Sequence, residues 1–249
     1  MEHNAPIRIN TRGHKTRPMH ASTAMLPLGE RENLEEIIRI TRSKIAWPLR
    51  ETLGDGGFAV RSDPGRREHV IYWPRYGGDG APHYLKYLHE LVHARLAEKA
   101  HPLFSGPAFA PGSHIVLVDA ALPVFQAASD WFVEHEMVRL CPERKKPELA
   151  AQFGALLHGL RDGGSLDPAE AACAALLAAK AVAFLGREAC LSGLLAELIQ
   201  AYLRTPAHKP CLFTLRALTN RLLDPLFKAR ADIALAGGRE VWLLRDRTD

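Results

Sequence analysis

The stretch Pro82-His83-Tyr84-Leu85-Lys86-Tyr87-Leu88-His89-Glu90-Leu91-Val92-His93-Ala94-Arg95-Leu96-Ala97 decides how this chain is read. Leu85, Leu88, Val92 and Leu96 recur at helical spacing, and Pro82 sits near the start, where its missing N–H costs little, so the stretch reads as a helix with an apolar face. His89 and His93, four residues apart, project from one side of such a helix on successive turns and can offer two imidazole nitrogens to a single Zn²⁺. Glu90 points beside the metal. There it can take a proton from a water that the metal activates and later deliver it to a leaving amine. This is the HExxH pattern, in the helical context that gives it meaning.

Working outward from the motif, Phe58–Arg61 and His69–Trp73 read as the two strands of a hairpin, turned at Ser62-Asp63-Pro64-Gly65 and closed by Pro74 and Gly77-Gly78. Its edge could hold an extended peptide by main-chain hydrogen bonds. Further upstream, Leu34, Ile37, Ile38, Ile40, Ile45 and Leu49 give a helical stripe that starts at Asn33 and is expected to end around Trp47-Pro48 or near Gly54. Residues 1–30 are basic, contain Pro6, Pro18, Pro27 and Gly29, show no sustained period, and read as an arm. Downstream, a Pro/Gly-rich stretch from Pro102 to Gly112 leads to a strand-like run at His114–Asp119, and Pro123 opens a helix through Asp130, Trp131, Phe132, Glu134 and Met137. Composition shifts at Cys141–Pro147. Beyond it, helices are expected at Glu148–Leu160, Asp167–Leu185 and Glu188–Leu203, the second with Asp167 as N-cap, Pro168 at its first position and Gly186 past its end. A segment Leu212–Ala231, interrupted by Pro225, and a terminal strand Glu240–Leu244 complete the chain.

The motif within Tyr84–Ala97 resembles that of the zincin superfamily of metallopeptidases. The metzincin branch needs a glycine three positions after the second histidine and a third histidine three further on; Leu96 and Lys99 stand there, and His101 is misplaced. The remaining resemblance is to the gluzincin group, which implies an acidic third ligand on a later helix. Asp130 and Glu134, four residues apart on one face of the helix after Pro123, are the candidates: either could complete the site while the other orients a histidine. Glu134 has the longer reach. The segment Gln126–Phe132 is also similar to the ExxAD-x-F helix of ImmA/IrrE-type proteases, whose first glutamate is the ligand; here that position is Gln126, a poor zinc ligand.

Composition bounds the rest. The chain has 249 residues, 47% hydrophobic and 24% charged, and a formal charge of +4 that is not gathered into one block, which fits a full-sized globular core. The four cysteines lack CxxC spacing and read as buried thiols rather than disulfides or zinc ligands. Residues 1–20 carry too many basic residues for a signal peptide, and the apolar run Ala169–Leu185 contains Glu170 and Lys180, so a soluble, cytoplasmic protein without a membrane partner is expected. His83, His101, His114 and His135 are candidates for stabilising an oxyanion and Tyr72 and Tyr76 for substrate contacts, while Tyr84 and Tyr87 are expected to pack on the sheet. The Arg75–Gly80 stretch lacks a phosphate-loop pattern and reads as a connection or rim, and the clusters Arg61–Arg67 and Glu143–Lys146 read as solvated.

The expectation is therefore an α+β protein: an arm over 1–30, a zincin-like half with a small sheet and active-site helix over 31–145, and a mostly helical half over 146–249. It is expected to be a zinc metallopeptidase with Glu90 as catalytic base, metal ligands His89, His93 and Glu134 or Asp130, Zn²⁺ as its cofactor, and a peptide or protein substrate. The rival readings are a non-catalytic zincin-fold regulatory or binding protein, motivated by Gln126, and a basic nucleic-acid-binding module.

Overall fold

A computed structural model of the chain describes residues 28–55, 57–75, 81–161, 166–188 and 190–247. Most of the basic arm, Tyr76, and the glycine-rich stretch after Arg75 lie outside these described residues. The architecture is α+β. A three-stranded mixed sheet, seven α-helices among the described residues and a C-terminal hairpin follow one another along the chain.

Helix α1 (Leu28–Arg42) begins and ends earlier than its apolar stripe suggests. Its expected continuation toward Gly54 is instead strand β1 (Leu49–Gly54). Pro48 bars the helix, and the Glu98 carboxylate captures the Ala46 and Trp47 N–H groups at 2.9 and 2.6 Å, fixing the connection in a non-helical path. The expected hairpin is present as β2 (Ala59–Asp63) and β3 (Glu68–Pro74), antiparallel with Ser62 opposite His69. Asp63 Oδ1 accepts the Gly65 and Arg66 N–H groups across the turn. β3 is central, since β1 pairs with its other side in parallel.

Helix α2 (Ala81–Lys99) carries the His-Glu motif and is apolar on two sides. Tyr87, Leu91 and Ala94 pack with Val60 of β2 and Ile71 of β3, whereas Leu88, Val92 and Leu96 enter the larger core. A short 3-10 turn, Pro102–Ser105, follows. Helix α3 then runs unbroken over Ile115–Leu140, which corrects two expectations: His114–Asp119 is not a strand, and Pro123 lies inside the helix rather than at its start. The physical reason is competition for a partner strand. The final strand β5 (Arg239–Asp246) pairs with β4 (Ala229–Ala236), and its other edge is met by Ala108–Ala110 through Trp242 N–H to Ala108 O and Ala110 N–H to Trp242 O, both 2.7 Å. The adjacent β5 edge is thus already taken ahead of residues 115–119, and the His114 ring caps the Leu117 N–H to start a helix instead.

Helices α4 (Pro142–Arg161), α5 (Pro168–Leu185), α6 (Gly193–Leu203) and α7 (Leu212–Phe227) follow. The Asp167 capping box and the left-handed Gly186 end α5 as expected. α7 stops at Phe227, so Ala229–Ala231 belong to β4 and not to the helix; Lys228 turns the chain at φ 51°, and the Asn220 side chain grips both the N–H and C=O of Ala231. The larger core draws on both sides of Cys141, joining α2 and α3 to α5, α6, α7 and the C-terminal hairpin. Only Cys141 is buried; Cys173, Cys190 and Cys211 are exposed, against the expectation of four buried thiols, and all four are free. α3 and α5 are each long and apolar enough to cross a membrane by length and composition.

Candidate metal centre

The site forms where α2 crosses α3. His93 Nε2 lies 3.1 Å from His89 Nε2 and 3.1 Å from Asp130 Oδ1, and His89 Nε2 lies 3.5 Å from the same carboxylate oxygen. Donors each about 2.0–2.2 Å from a tetrahedral zinc are spaced about 3.3–3.6 Å from one another. The triangle of two imidazole nitrogens and one carboxylate oxygen is therefore close to one face of such a coordination sphere, and these three residues could hold a metal ion.

Both rings are aimed by their other nitrogen. His93 Nδ1 donates to the Phe104 carbonyl at 2.5 Å, which leaves its Nε2 as the free lone pair. His89 Nδ1 faces Glu134 Oε1 at 3.3 Å. Asp130 thus approaches the two converging nitrogens, and Glu134, one turn later on α3, stands behind His89. Glu134 is itself held by two cations, the buried Lys145 Nζ from α4 at 3.2 Å and the half-buried Lys180 Nζ from α5 at 3.4 Å.

The electrostatics follow. Burial pulls the His89 imidazole toward its neutral form, yet hydrogen bonds to Asp130 and Glu134 outweigh that and push its pKa up to about 10. Burial likewise opposes the Asp130 charge, but His89 and His93 hold it well below the usual carboxylate range. Glu134 is held low against its own burial by His89, Lys180 and Lys145. Two ionised carboxylates converging on two imidazoles demand positive charge among them, which either a proton on His89 or a metal ion can supply. Glu90 is 9% exposed, and its carboxylate makes no hydrogen bond or ion pair among the described residues.

The other candidates lie elsewhere. His101 caps the 3-10 turn and pairs with Glu240, His114 caps α3, His83 lies against the Phe58 ring, and His135 lies near Phe184 and His208. Tyr87 packs on the sheet as expected, stacked on Trp73 with its hydroxyl on Glu51. Tyr72 lies under Arg61. Gln126 is exposed one turn before Asp130. Three participants were not found in the sequence: the Phe104 carbonyl, Lys145 and Lys180. A carbonyl leaves no signature in sequence; Lys145, expected to be solvated with the rest of Glu143–Lys146, is buried. Lys180, a lone cation in an apolar helix, is the one of the three that carries a sequence signal, since such a residue needs a partner.

Compared with known proteins, the chain matches no family model, no curated protein and no solved structure.

Proposed function

We propose that this chain is a zinc-dependent peptidase whose metal is held by His89, His93 and Asp130. The observation that carries this reading is the convergence of those three donor atoms within 3.5 Å beside an uncommitted, largely buried Glu90. A set of two nitrogens and one oxygen suits zinc and leaves a fourth position for water or substrate. Bound there, Zn²⁺ would supply Lewis acidity, lowering the pKa of water towards neutrality and polarising a carbonyl. Glu90 accepts the proton as water attacks the peptide carbonyl and returns it to the departing amine, so that C–N cleavage is balanced by C–O formation. Glu134 and Phe104 hold the two imidazoles in the tautomer that presents Nε2. β2 is an edge strand lying against α2 and the 3-10 turn, a favourable line for an extended substrate to pair along.

Metal analysis and peptide hydrolysis together test the proposal. Purified protein is expected to carry one zinc per chain, His93→Ala and Asp130→Ala to lose it, and Glu90→Gln to keep it while losing at least about a hundredfold in hydrolysis. Zinc retained by both ligand variants would overturn the site. Hydrolysis surviving in Glu90→Gln would overturn the base. The exposed Gln126 favours a second reading, a zincin-like binding protein without catalysis; it predicts zinc uptake with no hydrolysis in the wild-type chain.

A further inference from the structure

A cleft of about 670 Å³ opens between α6, α7 and the ends of β4 and β5, on elements other than those that supply the metal cluster. Four arginines line it, Arg204, Arg221, Arg230 and Arg247, against two carboxylates, Glu197 and Asp224, and no lysine or aromatic ring takes part. Two of the guanidiniums are already matched: Arg247 is bound to Asp224, and Arg230 lies 3.6 Å from Asp232. The other two are not. Arg221 Nη1 donates only to the neutral hydroxyl of Thr205, at 3.1 Å, and the Arg204 guanidinium makes no hydrogen bond or ion pair among the described residues. Both line the same cleft, and Arg221 is bonded to Thr205, the residue that follows Arg204 in the chain.

A guanidinium presents its N–H groups as a rigid fork that matches phosphate or carboxylate oxygens in pairs. Two guanidiniums without a carboxylate partner in one cleft suit a dianion, and a phosphomonoester carries about −1.5 to −2 at neutral pH where a single carboxylate carries one charge. The volume lies within the small-molecule range of about 300–1,000 Å³. A nucleic acid would call for an extended basic stripe or stacking rings, whereas this site is a local cleft without a ring, its apolar part made by Ala196, Ala201, Pro225 and Ala229. We infer that the cleft binds a small phosphorylated molecule, its phosphate held between Arg204 and Arg221 and its carbon skeleton on the alanine floor.

Glycerol phosphate is the probe, titrated calorimetrically into the full-length protein at constant ionic strength. Saturable binding with a dissociation constant below about 1 mM is expected, weakened at least about tenfold in the double variant Arg204→Gln/Arg221→Gln. Should the double variant fail to fold, Arg204→Gln alone carries the comparison, since that side chain has no partner in the fold to lose; about threefold or greater weakening is expected there. No saturable binding up to about 10 mM, or binding undiminished by these substitutions, overturns the proposal. Tighter binding of a short DNA duplex through the same arginines also overturns it, in favour of a nucleic-acid surface.

Discussion

At the scale of single residues, Asp130 and Glu134 show how two carboxylates four residues apart on one helix divide two roles. Asp130 Oδ1 faces both Nε2 atoms, while Glu134 reaches the far nitrogen of His89 and takes its countercharge from Lys145 and Lys180. The two carboxylates should therefore respond differently to loss of charge. If zinc sits as proposed, Asp130→Asn removes a ligand and is expected to abolish stoichiometric zinc binding. Glu134→Gln loosens the His89 ring and should weaken zinc about 10–100-fold without abolishing it, as competition with a chromogenic chelator would show. Equal losses in both variants would make Glu134 a ligand as well. Sequence spacing put both side chains on the correct face but could not separate them, because the choice depends on where α4 and α5 deliver their lysines. A second residue, Glu98, links three segments: it accepts N–H groups from Ala46 and Trp47 and meets His69 Nε2, whose Nδ1 is 2.6 Å from Ser62 Oγ. Burial opposes its charge, but those three donors prevail and lower its pKa. A carboxylate lowered in the folded state contributes stability above its unfolded pKa, and that contribution is lost as pH falls through the folded value. Glu98→Gln is accordingly expected to cost about 1.5–3 kcal/mol in urea denaturation at pH 6, with the gap to wild type shrinking below about pH 4.5. A gap that grows on acidification would reverse the assignment.

Among the elements, those with a strong local pattern were legible and those decided by a distant partner were not. The hairpin of β2 and β3, helix α2 and the capped α5 follow from turn residues, apolar period and caps within their own segments. β1 was missed because Leu-Arg-Glu-Thr-Leu-Gly is an edge strand with four exposed central residues and little alternation, and it exists because β3 offers it a parallel edge. The first turns of α3 were misread for the converse reason: Ile115, Val116 and Val118 favour a strand, yet Ala108–Ala110 already meets the edge they would need. Helix α3 thus contains Pro123 eight residues past its start, where the Asp119 carbonyl has no N–H to accept. Replacing Pro123 by Ala restores that donor. It is expected to raise the unfolding free energy by about 1–3 kcal/mol, whereas a proline at the first position of a shorter helix would give no gain. Thermal or urea unfolding of Pro123→Ala distinguishes these two placements directly.

The metal centre and the helical half of the whole molecule are mechanically joined. α3 supplies Asp130 to the site and, on its neighbouring positions, Trp131 and Phe132 to the core; the Trp131 indole N–H donates to the Thr205 carbonyl beyond α6 at 2.9 Å. α4 and α5 return the connection through Lys145 and Lys180. An interface so apolar and so fully shared behaves as one core rather than as two docked domains. Removing residues 146–249 would strip α3 of the helices that bury Ala128, Trp131 and Phe132 and take Lys180 from Glu134, leaving that carboxylate one cation fewer. The full-length chain is therefore expected to unfold in one transition, with tryptophan fluorescence and far-ultraviolet circular dichroism coinciding. On the proposed reading, chelating the metal should move that whole transition to lower denaturant, because the three donors meet only where α2 and α3 are already crossed. A chain ending at Lys145 should bind zinc more weakly than full-length protein by at least the 10–100-fold expected of Glu134→Gln, since it loses the lysine on α5 and the packing that fixes α3. Two separated transitions, with chelation shifting only the first, would instead mean that the sheet and metal helices fold without their helical partner.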